Sequence, residues 1–213
     1  MLRHFLFALA AFCPCLIHAQ MTGFSYELET VLWETESPVD PLADLAYYGV
    51  FNVYADFMNP TDVLSAVYSE VPALGTPPMG IDAPCGCHNP VEQPVISSFN
   101  NPLFYDVAPE FEYDSFWTIG MTTLQDAGQP PGGIGMGEPS DLCSGLSIES
   151  GTIFIYGGTG NWPVNAVAGD DLRVLIARVT TCGDFTIQAC AQVFVAGDQE
   201  EVQQFCPEAL EVL

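Results

Sequence analysis

Alternation of side-chain character constrains this chain more than any other feature, because only an extended backbone sends every second residue to the same face. Phe24, Tyr26, Leu28, Thr30 and Leu32 alternate with Ser25, Glu27, Glu29, Val31 and Trp33, which predicts a strand with one wet face. The spacing predicts further strands at Tyr47–Phe57, Val63–Tyr68, Val95–Phe99, Phe111–Ile119 and Ser147–Tyr156. Leu172–Thr180 and Phe185–Val195 read as a hairpin closed at Thr181-Cys182-Gly183-Asp184, and Glu201–Cys206 as a last strand beyond Gly197-Asp198. The stretches 71–94, 125–140 and 157–170 are rich in Gly, Pro or Cys and read as long loops. Eight or nine strands in one domain predict an all-β fold, an antiparallel β-sandwich, with a closed barrel as the alternative.

The first residues carry a different signal. Arg3 and His4 precede the apolar run Phe5–Phe12, and Ile17 and Ala19 suit a cleavage site before Gln20. These are the parts of a secretory signal peptide, expected to span 1–19 and leave a single domain over 20–213. The apolar run is shorter than the ~20 residues a membrane-spanning helix needs. A lipoprotein anchor is not expected, since Phe12 precedes Cys13 and Pro14 precedes Cys15.

Cys13 and Cys15 would leave with that segment, and Cys85, Cys87, Cys143, Cys182, Cys190 and Cys206 would remain. An even count in an exported chain reads as disulfides made in an oxidising compartment. Cys182 and Cys190 lie on one extended segment, roughly 26 Å apart at about 3.3 Å per residue, so they should not pair with each other. A three-residue loop of Gly197, Asp198 and Gln199 would set Cys190 opposite Cys206, Gln192 opposite Gln204 and Phe194 opposite Val202. The expected bond is Cys190–Cys206, leaving Cys85, Cys87, Cys143 and Cys182 to tie loops to the hairpin turn.

Charge excludes whole classes of partner. Beyond residue 19 the 27 carboxylates face only Arg173 and Arg178, with no lysine and His88 as the one histidine. Nucleic-acid backbones and anionic membranes would be repelled. Such acidity is best tolerated where salt or divalent cations screen it. The chain is not a disordered acidic tail, since 49% of it is hydrophobic and 12% aromatic.

The inventory of reactive groups is thin. Cys85-Gly86-Cys87-His88 could hold zinc or copper, but two half-cystines and a histidine are the simpler reading. A nucleophile–histidine pair has only His88 to draw on. Paired carboxylates could hydrolyse glycans. Gly132–Gly137 lacks the strand–helix setting of a phosphate loop and reads as a flexible loop. Calcium is a candidate ligand of the acid clusters Asp40/Asp44, Asp170/Asp171 and Asp198/Glu200/Glu201. Arg173 and Arg178, five residues apart on one strand, should point to opposite faces, each paired with a carboxylate. Trp33 and Trp117 read as core, and Trp162, in a loop, is the candidate for stacking on a sugar.

Three phrases carry a resemblance: Tyr48-Gly49-Val50-Phe51-Asn52-Val53-Tyr54-Ala55, Tyr113-Asp114-Ser115-Phe116-Trp117-Thr118-Ile119-Gly120 and Gly169-Asp170-Asp171-Leu172-Arg173-Val174-Leu175-Ile176-Ala177. Their wording and order resemble secreted β-sandwich modules of marine bacteria and algae over positions 24–195. The resemblance implies a fold class and an extracellular address, and no functional residue. The expectation is an extracellular binding or structural module, associated with a cell surface, matrix, polysaccharide or protein partner, with calcium as a candidate cofactor. The alternatives are a carboxylate-dependent glycan hydrolase and a self-assembling subunit.

Overall fold

A computed structural model describes residues 21–33, 42–69, 77–90, 96, 100–138, 142–157 and 161–213. The expected signal peptide and Asp40 lie outside the described residues. Thirteen strands are described, in three sheets whose strand pairs are all antiparallel. Sheet A orders β1 (Met21–Val31), β2 (Gly49–Phe57), β9 (Arg173–Thr181) and β5 (Phe116–Trp117). Sheet B orders β12 (Val202–Phe205), β11 (Cys190–Phe194), β3 (Val63–Tyr68), β8 (Thr152–Phe154) and β6 (Gly132–Ile134). Sheet C orders β13 (Leu210–Val212), β10 (Phe185–Gln188), β4 (Met79–Asp82) and β7 (Ser144–Ile148).

All three sheets feed one core. Val53, Ala55, Val174, Ile176 and Val179 enter it from sheet A, Val67, Ile153, Ala191 and Val193 from sheet B, and Met79, Ile81 and Ile187 from sheet C. This shared interior is the packing expected of a sandwich and not of a single closed barrel.

Several expected elements differ. Leu172–Thr180 and Phe185–Val195 do not form a hairpin. Both edges of β9 are already taken, by β2 and β5, while β10 sits between β13 and β4. The expected strand Phe185–Val195 breaks at Ala189, so β10 pairs in sheet C and β11 in sheet B. Phe111–Ile119 is not a long strand. Pro109–Tyr113 is a 3-10 turn, and only Phe116–Trp117 pairs with β9. Pro109 begins that turn, where its missing N–H costs nothing. The loop at 71–94 contains β4, and the Gly132–Gly137 loop contains β6, an edge strand on β8. Ser147–Tyr156 is interrupted between β7 and β8, which join different sheets. Of Val95–Phe99 only Ile96 is described, bridged to Trp117.

Cys190 is bonded to Cys206, Cys85 to Cys182 and Cys87 to Cys143. Gln192 faces Gln204 and Phe194 faces Val202, as the hairpin argument requires. The connection is longer than three residues, however. Val195 donates to the Glu201 carbonyl at 3.0 Å, and a 3-10 turn over Val195–Gly197 fills the space.

Arg173 and Arg178 lie on the same face of β9, not on opposite faces. A register shift opposite Val53/Tyr54 inserts one extra residue into β9 and inverts the parity of everything beyond it. Both side chains therefore reach the same row of β1. Arg173 Nη1 donates to Glu27 Oε1 at 2.6 Å, with its guanidinium 4.1 Å from the centre of the Tyr54 ring. Arg178 Nη2 donates to both Glu29 oxygens at 2.9 Å. The Arg173 side chain is 31% exposed and that of Arg178 only 6%. Removing Arg178 leaves a hole in a covered layer, although Glu29 can rehydrate. Arg178→Ala should lower unfolding free energy by about 2–4 kcal/mol, and Arg173→Ala should shift the urea midpoint several-fold less. Equal midpoints for the two variants would refute this ranking.

Candidate functional site

The strands of sheet B send alternate residues to the core and to solvent. Val67, Ile153, Ala191 and Val193 point inward, so Ala66, Tyr68, Thr152, Gln192 and Gln204 line the opposite face. Register aligns them. Gln204 faces Gln192, and Gln192 faces Ala66, in one row, while Tyr68 faces Thr152 and Thr152 faces Ile134 in the next. Ala66 is small and its neighbours long, which hollows the sheet at its middle. Ser69, Ser150 and Gly151 complete the lining of the resulting cleft of about 350 Å³.

The polar side chains of the cleft are neutral and stand beside apolar Ala66 and Ile134. Ser65 Oγ donates to the Gln192 carbonyl at 3.0 Å and accepts from Gln192 Nε2 at 3.0 Å, which fixes that amide. Ser69 Oγ accepts the Gly151 N–H at 2.9 Å and keeps its own proton to donate. None of the described lining residues is charged, in a chain with 27 carboxylates. Tyr156, 70% exposed and two residues beyond β8, stands edge-on to Phe154 with centroids 5.0 Å apart.

Trp162 lies beside this face with its ring already engaged. Nε1 donates to the Gly197 carbonyl at 2.7 Å, and the ring lies 4.8 Å from Phe194 at a tilt of 31°. Gly157 packs so closely on the indole that a Cβ there would collide with it. Trp162 thus pins the β11–β12 connection. Trp117 is fully buried, whereas Trp33 is 72% exposed and meets Tyr47 edge-on, so only the first is core as expected.

The acid clusters are dispersed. Asp170 and Asp171 occupy the exposed turn before β9, and Asp198 Oδ1 accepts the Glu200 N–H at 2.9 Å as a loop cap. Asp44 sits in the 3-10 turn Ala43–Leu45. Among the described residues, no three His, Cys, Asp or Glu side chains converge as an ion site would require. Cys85 and Cys87 are both in disulfides, and His88 Nε2 donates to the Glu110 carbonyl at 3.0 Å. Burial keeps His88 below the usual histidine range, although the Glu110 carbonyl favours its charged form.

Among the described residues, three carboxyls are raised by burial: Asp56 on β2, where the Ser25 hydroxyl and Arg173 oppose the shift, and Asp62 and Asp114. Asp62, before β3, is fully buried, and its Oδ1 accepts the Ala196 N–H at 2.9 Å. Asp114, before β5, is pushed by burial up to about 7, partly offset by the Ser115 N–H and the charge of Arg178. Asp126 goes the other way. Burial opposes its charge, but the backbone and hydroxyl donors of Thr122 and Thr123 outweigh burial and hold it low.

Ala66, Tyr68, Thr152, Gln192 and Gln204 fall in predicted strands, and Gln192 opposite Gln204 was legible from the hairpin register, whereas Ile134 falls in a segment that reads as a loop. The convergence of the two glutamines with Tyr68 and Thr152 required strands β3 and β8 to pair, which no local pattern announces.

Asp114 retains a proton in the folded state that the unfolded chain releases near pH 4. Its contribution makes stability fall as pH rises from about 4 to about 7, and the full cost applies above that. Asp114→Asn should raise unfolding free energy at pH 8 by roughly 2–4 kcal/mol and flatten the slope between those limits. An unchanged slope in urea titrations across this range would contradict the assignment.

Comparison of the chain with protein-family models, with curated proteins and with solved structures returned no match.

Proposed function

We propose that this protein is an extracellular binding module that takes a neutral, polyhydroxylated ligand, a glycan, in the cleft on sheet B. The observation that carries the reading is the uncharged lining of Tyr68, Ser69, Thr152, Gln192 and Gln204 within so acidic a chain. Amides and hydroxyls each donate and accept, which matches the mixed donor–acceptor character of sugar hydroxyls. The surrounding acidity would turn away anionic polymers and leave neutral ones. Three disulfides fit an oxidising compartment, and among the described residues no helix is long and apolar enough to cross a membrane. The signal expected over residues 1–19 supports the extracellular address.

Binding is favoured over hydrolysis by the same geometry. A glycosidase needs two carboxyl groups facing one bond. The described lining of the cleft contains none, and the raised carboxyls Asp56, Asp62 and Asp114 all lie outside it.

A glycan array probed with the secreted chain should show binding to neutral glycans over sulfated or uronic ones. Gln192→Ala and Gln204→Ala should each weaken it about 5–10-fold, the loss of roughly one hydrogen bond. No glycan bound, or full affinity in the double variant, would end the proposal.

A further inference from the structure

We propose that Cys85–Cys182 is a reversible thiol–disulfide exchange site, opened by an external dithiol while the other two bridges stay closed. Exchange requires a thiolate to reach one sulfur and the other sulfur to leave as a thiolate. A thiolate expelled into apolar surroundings meets the desolvation cost of an unpaired buried charge. The three bridges differ on this point. Cys190 is 0% exposed and Cys143 8%. Attack on their outer partners, Cys206 and Cys87, would drive a thiolate into the interior. Cys85 and Cys182 are both exposed, so either sulfur can be attacked and either can leave into water.

The fold around this bridge holds without it. Thr181 Oγ1 donates to the Gly86 carbonyl at 2.8 Å, and the His88 N–H donates to the Thr180 carbonyl at 2.8 Å. Cys87 bridges Thr181 across the backbone and is itself anchored to Cys143. These contacts lie just after Cys85 and just before Cys182, whose Cα atoms are 5.9 Å apart. The opened thiols therefore remain neighbours and can close again.

The step balances within a dithiol reagent. One reagent thiolate attacks the sulfur of Cys85 or Cys182, the S–S bond breaks, and the departing sulfur takes a proton from water. The second reagent thiolate then attacks the mixed disulfide, forming the reagent's own disulfide and releasing the second protein thiol. Two electrons and two protons pass from the dithiol to the protein.

The test is graded dithiothreitol on the native, secreted chain, followed by iodoacetamide and peptide mass mapping. Cys85 and Cys182 should be alkylated at a dithiol concentration at least about tenfold below that needed for the other four. The near-UV circular dichroism should persist, and oxidised dithiothreitol should restore the bond. A Cys85→Ser, Cys182→Ser double variant should melt about 5–15 °C lower yet show no labelled thiol at that concentration. Simultaneous opening of all three bridges, earlier labelling of any other cysteine, or labelling only upon loss of the near-UV signal would overturn the proposal. Should the double variant not fold, the labelling order in the unaltered chain decides alone.

Discussion

One run of alternation, Phe185, Ile187, Ala189, Ala191, Val193 and Val195, holds sheets B and C to a common interior. Each of these residues is buried, while the backbone hydrogen bonds change partners beneath them. Up to Gln188 the segment pairs with β4 and β13; from Cys190 it pairs with β3 and β12. Sheets B and C are thus two ends of one inward-facing row, turned at Ala189. Residues of sheet A share that core. Without this shared row neither the cleft on sheet B nor the turn that carries Cys182 would have a fixed position relative to the core.

The outer face of sheet A resolves a problem of composition. A chain with a net charge of −24 has few cations with which to steady itself. It uses Arg173 and Arg178 on one face of one strand, reaching across β2 to Glu27 and Glu29 of β1. The Ser25–Asp56 hydrogen bond at 2.9 Å continues the same lattice. Arg173 also holds Glu27 below the usual carboxylate range by its hydrogen bond, so this carboxylate stays charged where a bare one would begin to protonate. Because β1 is an edge strand with much of its surface exposed, these ties do work that core packing cannot.

The irregular segments are held by side chains acting as surrogate backbone. Asn165 Nδ2 donates to the Ile119 and Gln129 carbonyls and its Oδ1 accepts the Gln129 N–H, closing the loop after β5. Gly120, at φ +66°, lies against the Asn165 backbone so tightly that a Cβ would collide. Asp126 and Trp162 serve the same purpose elsewhere. Long Gly- and Pro-rich connections are thus ordered one hydrogen bond at a time, which leaves the cleft on a rigid sheet and the loops as its surround.

The amino-acid order alone determined the strand character of the chain, the burial of alternate residues and the Cys190–Cys206 bridge. Each depends on spacing within a segment or across a single turn, where two-residue periodicity leaves little choice. Which sheet a strand joins was a different matter. β9 and β10 look like a hairpin, yet long-range pairing with β2, β5, β4 and β13 separates them. One inserted residue in β9 put both arginines on one face, and no pattern of residue types marks such a bulge in advance. The cleft likewise exists only because β3 lies between β11 and β8. Local periodicity decides which way a side chain points; only the assembled sheets decide what it points at, because edge pairing is a competition among all strands at once.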